Sequence, residues 1–174
     1  RYQEDPVRIL RAVRLSGKLG FEVDDATAAP IPEYATRLKQ EPVARLFDEI
    51  MKLLLSGYAR QCLQQLNRLD IGSDIHPLLT ALARTGGGAE KNIVMLALAN
   101  TDERLRADKS VSVGFMLAAI LWPQLEQRWQ QYRREGQKTA AAMNTAISDL
   151  REELEKGWGV PQRFSATMRE IWVL

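Results

Sequence analysis

Asp5 and Arg8 stand three residues apart in the opening stretch RYQEDPVRILRAVRLSGKLGF, on the same end of one helical pattern. The carboxylate offers only acceptors and the guanidinium only donors. Adenine and cytosine each present a donor beside an acceptor on their pairing edge; guanine and uracil reverse that order. A fixed Asp–Arg pair therefore has the chemistry to read adenine or cytosine and to reject the other two. The same spacing suits a plain helix start, in which Asp5 caps the helix and pairs with Arg8. Arg8, Arg11, Arg14 and Lys18 form a stripe with no acidic residue among them. At about 100° per residue they fall within an arc of about 120°. Such a stripe is either a solvated face or a phosphate contact, because arginine forks match phosphate oxygens.

Other reactive side chains are few. The single histidine, His76, and the single cysteine, Cys62, argue against a zinc site, a disulfide framework and a Ser–His–Asp triad. Cys62 lies in the helical pattern YARQCLQQL and reads as a packing residue in a reducing compartment. Gly86-Gly87-Gly88 lacks the strand and the Lys-Ser/Thr of a phosphate-binding loop and reads as a connection. No Asp-x-Asp pair is present to hold metal ions. Arg128, Arg133, Arg134 and Lys138 form a second cationic group, read either as a solvated helix face or as an RNA contact. Trp122, Trp129, Trp158 and Trp172 are read either as core residues or as platforms for bases.

The elements that position these groups are all helical. Asp5 is predicted as N-cap and Pro6 as the first helical residue, with Leu10, Val13 and Gly17 on one face and Gly20 as the stop. Asp24-Asp25 caps a short second helix that Pro30 and Pro32 interrupt, with a continuation over 33–40. A strong helix follows Pro42, with Leu46, Ile50, Leu53 and Leu54 as its apolar stripe and Gly57 as its stop. Further helices are predicted over about 58–69, 77–84, 89–99, 113–121, 124–134 and 139–156, and a last one from about Ser165. The fold class is all-α.

With 174 residues, 45% apolar and 26% charged, the chain has the size for one domain or two small ones and the composition of a globular protein. A net charge of +2 is too small to argue for nucleic acid, so the placement of the cations must carry that argument. The longest apolar run, Val113 to Trp122, is too short to span a membrane, and a cytoplasmic location is expected. The start without methionine and the end on Ile171-Trp172-Val173-Leu174 lead us to expect part of a longer protein.

The opening stretch resembles the neck motif of class II nucleotidyltransferases, the family of bacterial poly(A) polymerases and tRNA CCA-adding enzymes. Its Glu-Asp-x-x-Arg falls on Glu4, Asp5 and Arg8, and the Leu-Arg-Ala-x-Arg and Lys-Leu-Gly-Phe that follow match as well. The stretch ARLFDEIMKLLLSG is similar to the family's next motif, with Arg45 and Glu49 spaced for an i,i+4 pair. The stretches EPVARLFDEIMKLL and NTDERLRADKSVSVGFMLAAILWPQL resemble the poly(A) branch more than the CCA-adding branch.

The resemblance implies that Asp5 and Arg8 contact the incoming base, with Glu4, Arg45 and Glu49 in support. Arg11, Arg14 and Lys18 are electrostatic candidates for phosphate or RNA contact. It implies ATP as substrate, an RNA 3′ end as partner, and Mg²⁺ held in a catalytic head that the sequence does not contain. Residues 1–70 would form a neck-like unit and 71–174 a body-like one, inactive without the head. A CCA-adding enzyme and a non-catalytic RNA-binding adaptor are the alternatives; the oligomeric state stays open.

Overall fold

Apolar residues recur every three or four positions through nearly the whole chain. A computed structural model describes residues 2–71, 74–84 and 89–174, and among them it contains helices and turns but no strand. The glycine run at 86–88 lies outside the described residues.

Helix α1 spans Arg8–Leu19, buries Leu10, Val13 and Gly17, and ends at Gly20 with φ 69°, a left-handed stop that glycine accepts without strain. It begins later than the Asp5 cap predicts. Asp5 Oδ1 accepts the Val7 N–H at 3.2 Å, and the backbone first winds in tighter i→i+3 bonds, from Arg8 N–H to the Asp5 carbonyl and from Ile9 N–H to the Pro6 carbonyl. Asp5 thus fastens the entry turn, and Val7 sits at the helix start without a side-chain cap.

Asp24 caps α2 (Asp25–Ala28) as expected, accepting the Thr27 N–H at 3.1 Å. Helix α3 (Ile31–Ala35) carries Pro32 in its first turn and passes into a 3-10 turn over Thr36–Gln40. Helix α4 spans Val43–Leu54, and its predicted stripe of Leu46, Ile50, Leu53 and Leu54 is buried throughout. Helix α5 (Ala59–Arg68) buries Ala59, Cys62 and Leu66.

Helices α1 and α5 meet at Gly17. A Cβ there would lie 2.6 Å from Cys62 Sγ and 2.9 Å from its backbone nitrogen. A glycine inside a helix weakens it slightly, but here the missing side chain is what lets α5 approach. Burial pushes the Cys62 thiol up in pKa, consistent with a packing role.

Helix α6 spans Pro77–Arg84, and α7 runs over Ala89–Arg106, well beyond its predicted end at 99. Helix α8 corrects another expectation. It runs unbroken over Val113–Arg134 with Pro123 inside it. An interior proline costs about 3 kcal/mol. Burial of Met116, Leu117, Ile120 and Leu121 before it and Leu125 after it, in a helix packed on α9 (Thr139–Gly157) and α10 (Ser165–Trp172), holds the helix through the break.

The buried residues form one cluster from Val7 to Trp172. His76, 1% exposed, stitches distant parts of it together. Its Nδ1 accepts the Leu78 N–H at 3.0 Å, so the ring proton sits on Nε2 and donates to the Trp158 carbonyl at 3.0 Å. Next to Trp158, Gly159 (φ 66°) comes so close to α4 that a Cβ would lie 2.7 Å from Ala44 Cα.

Candidate nucleotide-binding site

The entry turn of α1 sets Asp5 beside the start of α4. Arg45 Nη2 donates to both Asp5 oxygens, each at 3.1 Å, while its Nη1 donates to Glu41 at 2.6 Å. The hydrogen bond to Glu41, reinforced by the charge of Asp5, holds the Arg45 guanidinium above the usual arginine range. Asp5 and Arg8 do not pair with each other. Arg8 reaches back to Glu4 at 3.4 Å, an exposed contact.

The carboxylate has about four acceptor positions. Asp5 Oδ1 takes Val7 N–H and Arg45; Oδ2 takes Arg45 alone. One acceptor position on Oδ2 is therefore left, on a side chain that is 23% exposed. Arg8 keeps most of its five donors on a side chain 42% exposed. An acceptor held rigidly and a donor held loosely stand at one helix end, neither neutralised by the other.

The predicted Arg45–Glu49 pair does not form. A carboxylate on the N-terminal side of its cation is the better i,i+4 orientation, and Glu41–Arg45 has it where Arg45–Glu49 does not. Glu49 instead faces α1, its side chain 7% exposed, where it takes Arg11 at 3.4 Å and Lys52 at 3.1 Å. The cationic stripe is thus divided. Arg11 is tied to Glu49, while Arg14 and Lys18 enter none of the ion pairs among the described residues.

Asp102 carries a role that its sequence neighbourhood does not announce. From α7 its carboxylate accepts the Ala59 N–H at 2.8 Å and the Arg60 N–H at 3.3 Å, capping α5 from another helix. One signal does point to it: Tyr58, at the start of α5, has no side chain that can cap.

The second cationic group is engaged locally. Arg128 pairs with Glu153, Arg133 lies over the Trp129 ring at 5.4 Å, and Arg134 Nε donates to the Gln130 carbonyl at 3.3 Å. Lys138 is exposed at the start of α9. Trp158 and Trp172 are core residues; Trp172 Nε1 donates to the Ala118 carbonyl at 3.0 Å. Trp122 and Trp129 are half-buried against the core. Among the described residues no group of three or more His, Cys, Asp or Glu side chains is placed to hold a metal ion. No helix among them is long and apolar enough to cross a membrane.

Two family models match this helical scaffold. Residues 20–82 match the one described as "Probable RNA and SrmB- binding site of polymerase A", and residues 135–174 match "Polymerase A arginine-rich C-terminus". Over these two segments the chain is similar to polymerase A proteins. It is 37% identical over 176 residues to Poly(A) polymerase I of Salmonella typhimurium, a match covering all of this chain and 38% of that protein. Its identity to Poly(A) polymerase I of Escherichia coli O157:H7 is 36%, again over the whole chain. The chain spans about 38% of the length of these curated relatives. The CCA-adding enzyme of Latilactobacillus sakei is 41% identical over 61 residues, 35% of this chain and 15% of that enzyme.

Proposed function

We propose that this chain is the nucleotide-recognition and RNA-positioning part of a template-independent polynucleotide adenylyltransferase, which adds AMP from ATP to RNA 3′ ends in the cytoplasm. The observation that carries the reading is the state of Asp5. Val7 and Arg45 fix its carboxylate, yet one acceptor on Oδ2 remains for an exocyclic amine. Arg8 then donates to the adjacent ring nitrogen, and Glu4 is the carboxylate that lies against Arg8. In this scheme Arg45 and Glu49 are supporting residues: Arg45 orients Asp5, and Glu49 ties α1 to α4 through Arg11. Residues 1–70 form the neck-like unit that carries base recognition, and residues 71–174 form the body-like unit behind it. The bond-forming chemistry, with its Mg²⁺, belongs to a catalytic head.

Adenine and cytosine present the same edge order, so the base reader alone leaves the CCA-adding reading standing. Whole-chain similarity to poly(A) polymerases, against about a third of the chain for the CCA-adding enzyme of Latilactobacillus sakei, favours adenylation. Primer extension tests the choice. The chain is joined to the catalytic part of the Salmonella typhimurium Poly(A) polymerase I in place of the matching stretch. It is then given ATP, CTP or both with Mg²⁺, on an unstructured RNA and on a tRNA lacking its 3′ end. Long tails from ATP alone are expected. Addition that stops once the tRNA end is complete would assign the chain to the CCA-adding branch. A folded chimera that incorporates nothing, beside an active unmodified relative, would overturn both and leave the adaptor.

A further inference from the structure

Between α1 and α4 lies an open cavity of about 480 Å³ whose lining includes Arg14, Lys18 and Lys52, together with the apolar Leu15, Met51 and Leu55. Arg14 and Lys18 stand four residues apart on α1 and so share a face. Lys52 faces them from the last turn of α4. The carboxylate among their ion pairs in the described residues is Glu49, which Lys52 shares with Arg11. Leu15 leaves 55% of its surface in solvent beside these cations. Three cations give the positive track along which single-stranded nucleic-acid sites hold the backbone; where such sites commonly add an aromatic platform, this cavity offers the apolar side chains of Leu15 and Leu55. The cavity begins at Arg14, six residues and about 9 Å of helix rise beyond Arg8, and extends away from that end to Lys18.

We propose that this α1–α4 cavity binds the single-stranded RNA chain, with Arg14, Lys18 and Lys52 on consecutive backbone phosphates and a base against Leu15 and Leu55. The inference rests on the RNA-handling reading above and names the place on the chain where the strand runs. Lys52 and Leu55 lie inside the matched RNA-binding segment at 20–82, and the inference extends that contact to Arg14 and Lys18, which precede it.

The test is fluorescence anisotropy of a labelled fifteen-nucleotide oligoadenylate with the 174-residue chain across a KCl series. Wild type is compared with R14Q/K18Q, with K52Q and with R134Q, a control on α8. All are checked for unchanged melting. For single strands the salt slope falls by about 0.7 for each phosphate that is no longer neutralised. R14Q/K18Q is expected to weaken binding roughly tenfold and to flatten the slope, K52Q to do so by about half as much in the slope, and R134Q to leave both unchanged. Wild-type binding with slopes unmoved by R14Q/K18Q and K52Q would overturn the cavity alone. No salt-dependent binding by wild type would overturn the RNA-positioning reading with it. Free ATP is the rival ligand. If it displaces the oligonucleotide, and its own binding falls with the same variants, the site holds a triphosphate and the strand assignment is wrong.

Discussion

Arg45 Nη2 lies 3.1 Å from each carboxylate oxygen of Asp5, a grip that spans forty residues of sequence and joins the entry of α1 to the start of α4. Both side chains are partly exposed, so the pair itself adds only about 0–1 kcal/mol to stability. Its effect is geometric: it fixes the carboxylate plane at the proposed base-reading end. Arg45→Gln is therefore expected to lower the melting temperature by a few degrees at most. It should sharply reduce selection of ATP over GTP when the chain is carried in an active polymerase. Arg45→Lys should restore part of that selection, because an ammonium can still sit between the two oxygens. Equal selection by wild type and Arg45→Gln would remove Arg45 from the base-reading scheme.

Gly17 offers a prediction in which two effects oppose each other. In a free helix, Gly→Ala gains about 1 kcal/mol. Here the new methyl would meet Cys62 Sγ at 2.6 Å, its nitrogen at 2.9 Å and its Cα at 3.0 Å. Two of those atoms are backbone and cannot turn aside. Overpacking of this kind costs typically 1–3 kcal/mol, so it should win. Urea unfolding of Gly17→Ala should show a net loss. Adding Cys62→Ala should recover only a fraction, since the backbone clashes stay. A gain in stability would mean that α1 and α5 can separate freely.

Local rules account for the features legible in the sequence. The α4 stripe from Leu46 to Leu54 is local apolar periodicity, and Gly20 and Asp24 act within a single turn; each stands where it is predicted. Pro123 defeats the local rule because its cost is offset by burial against α9 and α10, which no window around the proline contains. In the candidate site, residue types are legible and partners are not. Asp5, Arg8 and Arg45 all stand out by type and spacing, but Arg45 takes Glu41 and Asp5, and Glu49 takes Arg11, because those choices depend on how α1 lies on α4.

Asp102 should behave as a helix cap supplied from a distance. It is 2% exposed, and its two oxygens satisfy the first N–H groups of α5. Asp102→Ala leaves the buried Ala59 N–H unpaired, at a cost of about 1–3 kcal/mol, and frees the partly buried Arg60 N–H as well. Asp102→Asn retains one acceptor oxygen and should lose less. Amide hydrogen exchange separates this from a general packing defect: protection should fall first at Ala59 and Arg60. A uniform loss across all helices would contradict the capping role.

His76 predicts how stability responds to acid. Burial pulls its pKa below the usual histidine value, with the hydrogen bond to the Trp158 carbonyl opposing that shift. The unfolded chain titrates near 6.5, at the ordinary value. Below that pH the unfolded state takes up a proton that the folded state refuses, so unfolding gains free energy as pH falls. The contribution is fully present above about 6.5 and drains away between there and the lower folded pKa. His76→Gln removes the titration while keeping a side-chain donor. Urea midpoints measured from pH 7.5 to 5 should show the advantage of wild type over His76→Gln shrinking as pH falls. A constant gap would mean that protonated His76 is accommodated between Leu78 and Trp158, contrary to its burial and its bond pattern.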